Sequence, residues 1–147
     1  MVGAGYWSTY WYNGVIVGSE IARGLDIFEL KPSGLISQNE IDAAKSVHLD
    51  YLNVQGQPKL VWPASFALAG AYLDQLERSK GLDEGKVGAA RKALTGAEQA
   101  SGAARRGELT QLATQLDGDV GGAGDAAKVR TLAVTVRELA DSTQSTQ

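Results

Sequence analysis

Hydrophobic and polar positions follow two different rhythms along the chain. From Gly5 to Leu30, GYWSTYWYNGVIVGSEIARGLDIFEL, apolar and aromatic residues recur with the short period of extended strands, and Asn13-Gly14 separates two such runs. Asn-Gly supplies the positive φ angles that a two-residue type I′ turn needs at both central positions. That turn predicts Tyr12 opposite Val15, Trp11 opposite Ile16 and Tyr10 opposite Val17. One face then carries Tyr10, Tyr12, Val15 and Val17, and the other Trp7, Trp11 and Ile16. A third run, Leu25 to Leu30, sets Leu25 and Ile27 against Asp26 and Phe28, after a turn near residues 22–24. Strands that are apolar on both faces are not satisfied alone in water, and normally lie inside layered structure.

After Pro32-Ser33-Gly34 the period lengthens. Ser37 and Glu40 have the spacing of a capping box, and Ile41, Ala44 and Val47 follow at helical intervals, extending to Leu49 or Tyr51. The turn-rich segment Asn53 to Pro58 ends that helix. A short apolar run, Leu60 to Trp62, leads to Pro63, which suits the first turn of a new helix. Phe66, Ala69, Leu73 and Leu76 line one face of it, widened by Leu68 and Tyr72, and Gly81 stops it. Further helices are marked by Val87, Ala90, Leu94 and Ala97; by Leu109, Leu112 and Leu116; and, after the break DGDVGGAGD, by Val129, Leu132, Val136 and Leu139. Gly85, Gly88 and Gly96 weaken the first of these three by about 1 kcal/mol each relative to Ala, so it needs tertiary support and admits a close neighbour. These rhythms predict an α+β chain: a three-stranded antiparallel β-meander over 1–34, a capping helix and linker over 35–62, a helical bundle over 63–141, and a polar, disordered tail over 142–147.

Composition narrows the chemistry. Of 147 residues, 44 % are hydrophobic and 21 % charged, which fits a globular chain. A net charge of −3 argues against a nucleic-acid partner held by a general positive field. No apolar run approaches the roughly 20 residues of a transmembrane helix, and the N-terminus lacks the pattern of a secretory signal. With no cysteine and a single histidine, thiolate and histidine-rich metal sites are excluded.

The candidate sites are weak. Glu20, Arg23, Asp26 and Glu29 form a charge cluster among the aromatics, but oxygen-only cation sites need more converging ligands; Glu20 and Arg23 are better read as shaping a turn, with Asp26 and Glu29 facing solvent. Asp117, Asp119 and Asp125 fall in a glycine-rich loop without the calcium-loop spacing, and Asp125 is better read as a helix cap. His48, near a helix end, has no nucleophile to serve, and the serines lack the strand-to-helix elbow that exposes one. Asp83, Glu84, Glu98, Arg105, Arg106 and Glu108 read as the wet face of a bundle. No catalytic constellation and no cofactor site emerges, so no enzyme activity is expected. Two of three tryptophans and three of five tyrosines fall between Tyr6 and Tyr12, which makes Tyr6, Trp7, Tyr10, Trp11 and Tyr12 the candidate partner-binding residues.

The opening stretch resembles the closing segment of bacterial LVIVD-repeat proteins, whose repeats build a β-propeller. The likeness rests on YWYNG, on SEIARGLDIFEL, on Leu35 to Ala44 and on VWPASF at Val61 to Phe66, and fades into the alanine-rich helices. It implies a blade-like meander, a cell-surface, periplasmic or extracellular setting, and no enzymatic activity. Complete members carry several repeats and this chain about one, which cannot close a ring. The expected function is therefore that of an interaction or structural protein docking its aromatic meander onto a protein partner or another copy. The alternative is a cell-surface carbohydrate- or ligand-binding module.

Overall fold

The computed structural model describes residues 5–57 and 59–142. The fold is α+β, and the chain divides into two compact units, 1–63 and 64–147.

The first unit opens with three antiparallel strands in chain order, β1 (Tyr6–Tyr12), β2 (Val15–Glu20) and β3 (Gly24–Phe28). Asn13 at φ 47° and Gly14 at φ 91° form the predicted turn, and the pairing of Tyr12 with Val15, Trp11 with Ile16 and Tyr10 with Val17 matches the register read from the sequence. Helix α1 (Gln38–Lys45) begins with the full capping box: the Ser37 hydroxyl accepts from the Glu40 N–H, and the Glu40 carboxylate accepts from the Ser37 N–H. It ends earlier than its apolar spacing suggests. The Ser46 hydroxyl donates to the Ala43 carbonyl, and the Asn13 amide captures both backbone groups of Leu49, so Leu49 satisfies its backbone outside a helix. Ile41 and Ala43, rather than Ala44 and Val47, are the buried residues of this segment. A single 3-10 turn at Val54–Gly56, capped by Asn53, follows.

The second unit consists of α2 (Phe66–Ser79), α3 (Glu84–Gln99), α4 (Gly102–Asp119) and α5 (Ala126–Ser142). Each helix packs on the next, and α5 packs back on α2, so the four close a ring around one core. Every residue of the stripes read from the sequence in α3, α4 and α5 is buried in that core. Residues 143–147, most of the expected polar tail, lie outside the described residues, while Ser142 ends α5.

Three boundaries differ from expectation. Pro63 precedes α2 rather than joining its first turn, because the Ser65 hydroxyl caps the helix by accepting from the Leu68 N–H. The left-handed residue that ends α2 is Lys80, at φ 54°, not Gly81. Gly81 is required for closeness instead: a Cβ there would lie 2.8 Å from the Asp125 Cβ and 3.1 Å from a Leu76 methyl. The break DGDVGGAGD is also shorter than it reads. Helix α4 runs through Asp117 and Asp119, and a 3-10 turn at Val120–Gly122 leads to Asp125, which caps α5 by accepting from the Lys128 N–H, as expected. Of the three glycines in α3, only Gly96 meets another helix: a Cβ there would lie 2.9 Å from the Glu108 carboxylate.

Arg105 is not part of the wet face. Its guanidinium donates to the carbonyls of Ala97, Glu98 and Ala100 at 2.9–3.1 Å and lies over the Phe66 ring. Those carbonyls have no intrahelical partner at the end of α3, and the positive charge matches the negative end of the helix dipole.

Candidate functional site

The aromatic strand is set by the turn at one end and a bulge at the other. Between Ser8 and Tyr6 the register slips by one: Ser8 pairs with Ser19, yet Tyr6 pairs with Glu20. Trp7 is the extra residue of this β-bulge. The slip gives Tyr6 the place on the Trp11 and Ile16 face that strict alternation reserved for Trp7. Trp7 is displaced outward and is 76 % exposed, a correction to the simple two-face reading.

On that face the Tyr6 ring crosses β2 over Gly18, where a Cβ would come within 2.8 Å of it, and meets Phe28 edge-on at 5.9 Å. The Tyr6 hydroxyl donates to Asp26 at 2.6 Å, and Arg23 donates to the same carboxylate oxygen at 2.7 Å. These two donors hold the Asp26 carboxyl below its usual range, the Tyr6 hydrogen bond being the larger cause, and the same bond raises the Tyr6 phenol. Glu20 is buried, and its carboxylate accepts from the backbone N–H groups of Arg23, Ala22 and Gly5. Those bonds, led by Arg23, lower its pKa. Glu20 thus builds the turn into β3, as expected of it. Glu29 pairs with Lys31 and Lys45, which lower its pKa in that order. The charge cluster is accounted for by strand geometry.

The opposite face carries Tyr10, Tyr12, Val15, Val17, Leu25 and Ile27, as the two pairings require. Leu25 and Ile27 are 62 % and 65 % exposed. Tyr6 and Tyr10 are exposed at lower levels, while Trp11 and Tyr12 are half-buried. The five aromatics are therefore not one patch: the sheet divides them between two faces and the bulge.

The segment after α1 contributes what the sequence did not disclose. It is tied to the hairpin by the two Asn13–Leu49 hydrogen bonds, at 2.8 and 3.0 Å, and by the Tyr12 hydroxyl donating to the Asp50 carbonyl at 3.3 Å. Between it and the hairpin lies a cavity of about 240 Å³ walled by Tyr10, Trp11 and Asn13 on one side and Leu49, Leu52 and Leu60 on the other. The only early sign of this was a run of widely spaced apolar residues in an otherwise turn-rich segment.

The remaining candidates are placed in structural roles. Asp117 pairs with Arg137 and Asp119 with Lys86, the latter at 2.8 Å. His48 is exposed in the coil after α1. Among the described residues no three acidic or histidine side chains converge as a metal site, and no helix is long and apolar enough to cross a membrane. The molecule defined by these features is an α+β chain with a closed helical bundle and an open aromatic sheet. The chain matches no protein-family model, and no curated protein or solved structure is significantly similar to it.

Proposed function

We propose that this chain is a non-enzymatic interaction or structural protein that docks its aromatic β-meander onto a protein partner, with the bundle as an appended body. The observation that carries this reading is the exposure of Trp7, Leu25 and Ile27 on so small a sheet. Large apolar side chains left exposed are candidate contact residues, since exposed apolar surface can mark interaction sites. Tryptophan and tyrosine are the side chains that dominate such contacts. The resemblance to LVIVD-repeat proteins adds a cell-surface or periplasmic setting and a subunit role within a larger β assembly.

Trp7→Ser with Trp11→Ser tests this reading, by sedimentation beside far-ultraviolet circular dichroism. The expected result is weaker assembly with helical content unchanged. Retained assembly together with melted helices would make the tryptophans internal core and end the docking reading. A stable monomer whose tryptophan emission responds to sugars would favour the second reading, a cell-surface carbohydrate- or ligand-binding module, for which the cavity beside Trp11 provides room.

A further inference from the structure

The cavity beside the hairpin is walled by this chain alone, with strand β1 on one side and the segment 47–60 on the other. The Asn13–Leu49 and Tyr12–Asp50 hydrogen bonds fasten one wall to the other. Trp11, Leu49, Leu52 and Leu60 are each half-buried, so the space opens to solvent and is not a sealed void. None of Trp7, Leu25 and Ile27, whose exposure carries the docking reading, lines it.

Its walls set the class of ligand. Aliphatic and aromatic side chains dominate, and among the described residues no charged side chain lines it. An ion would be desolvated there without a counter-charge. A sugar would bring many hydroxyls to walls whose one side-chain amide, Asn13, is already engaged with Leu49 through both its oxygen and its nitrogen. The volume of about 240 Å³ exceeds the roughly 150 Å³ of an apolar cavity that admits benzene, which leaves room for a second fused ring.

The hairpin adds one polar feature. Tyr10 and Trp11 point to opposite faces of the sheet, yet both line the cavity, so it lies against the outer edge of β1. In a two-residue hairpin the pair flanking the loop exchanges hydrogen bonds, so Tyr12 and Tyr10 turn their backbone groups toward β2. Trp11, between them, turns its N–H and C=O to that outer edge, where among the described residues neither has a partner. Backbone groups of this kind fix a ligand's orientation in an otherwise apolar pocket. We propose that the cavity is a binding site for a small, uncharged aromatic lactam of one or two rings. The ring lies between Trp11 and the three leucines, and the adjacent N–H and C=O of the lactam pair with the C=O and N–H of Trp11. A cis-amide carries its donor and acceptor side by side, as a partner residue does in an antiparallel hydrogen-bonded pair. This site goes beyond the docking reading, and it narrows the ligand-binding alternative to molecules that are not carbohydrates.

Quinolin-2-one is the probe, titrated calorimetrically into the full chain beside its N-methyl derivative, quinoline-2-carboxylate and glucose. One molecule should bind per chain, with a dissociation constant between roughly 10 μM and 1 mM for a ligand of this size. N-methylation removes the donor and should weaken binding at least roughly tenfold. The carboxylate and glucose should bind no better than the N-methyl derivative. In the unsubstituted chain the probe's protons should show nuclear Overhauser contacts to the methyl groups of Leu49 and Leu52. Leu52→Trp fills the cavity and should abolish binding, with far-ultraviolet ellipticity reporting that the chain remains folded. If that variant unfolds, the Overhauser contacts decide alone. No binding at millimolar probe, contacts confined to other residues, or binding retained in a folded Leu52→Trp overturns the site. Equal affinity for the N-methyl derivative overturns the pairing with Trp11, and with it the lactam class. Tighter binding of glucose through the same leucines overturns the apolar class and returns the cavity to the carbohydrate reading. None of these outcomes bears on docking through Trp7, Leu25 and Ile27.

Discussion

Asn13 performs two separable tasks, and substituting it measures each. It occupies the left-handed region at φ 47°, and its side chain accepts from the Leu49 N–H and donates to the Leu49 carbonyl. Left-handed backbone costs an ordinary L-residue roughly 1–2 kcal/mol, whereas glycine adopts it freely. A hydrogen bond of this kind contributes about 0.5–1.5 kcal/mol net, so the clamp to Leu49 contributes about 1–3 kcal/mol. Asn13→Ala loses both and should destabilise the first unit by about 2–5 kcal/mol. Asn13→Gly preserves the turn and loses only the clamp, with a smaller entropic addition of about 0.5–1 kcal/mol from the unfolded chain. Gly14→Ala is the complementary variant: it strains φ 91° and brings a methyl to 3.2 Å from the Lys45 side chain, but leaves the clamp intact. The assay is urea unfolding followed by two signals. Trp7, Trp11 and Trp62 all lie in the first unit, so tryptophan emission reports on it, while far-ultraviolet ellipticity reports mainly on the bundle. The emission transition should shift in the order alanine, then glycine. If Asn13→Gly is as stable as the unsubstituted chain, the clamp contributes nothing, and residues 47–60 do not depend on it for their position against the hairpin.

In the bundle, Arg105→Ala should cost about 1–3 kcal/mol by leaving the last carbonyls of α3 without their donors, with Arg105→Lys recovering only part because one ammonium cannot span three acceptors; equal thermal midpoints for all three proteins would contradict this role. Gly81→Ala should destabilise by about 1–3 kcal/mol through its contact with Asp125 and Leu76, whereas Gly88→Ala, which meets nothing within 4 Å among the described residues, should stabilise by about 0.5–1 kcal/mol; calorimetry of the pair with the opposite order would refute both contacts. Acid should loosen the first unit before the bundle. The folded-state pKa values of Glu20 and Asp26 are both depressed, so their stabilisation is present above the ordinary carboxylate range and is lost as pH falls through that range and below it. Tyr6 acts at the other extreme: its raised pKa gives stabilisation present below the ordinary phenol value, about 10, and lost as pH rises above it. Urea midpoints read from tryptophan emission should fall at both ends, and Asp26→Asn with Glu20→Gln should flatten the acid limb; an unchanged acid limb would contradict it.

Local chemistry was enough to determine the hairpin. Positive φ at Asn13 and Gly14 fixes the turn, and the turn fixes the pairing of every residue from Ser8 to Ser19. The Ser37–Glu40 box and the buried stripes of α3, α4 and α5 were legible for the same reason: each depends on residues within one or two turns of one another. What the tertiary structure decided are the interactions between residues far apart in sequence. The coil after α1 is tied at Leu49 to Asn13, 36 residues away, and the close approach at Gly81 is to Asp125. The apparent loop at Asp117 and Asp119 is helix because Leu116 is buried and both carboxylates find cations on other helices. Arg105 looked like any solvated charge until Phe66 and the end of α3 were placed beside it. The site shows the same division. Composition identified the aromatic strand, but one extra residue at Trp7 exchanged the places of Tyr6 and Trp7, and only pairing with β2 could reveal that slip. Period-two alternation reports which face a side chain takes only while the register holds, and a bulge breaks it without leaving a mark in the pattern.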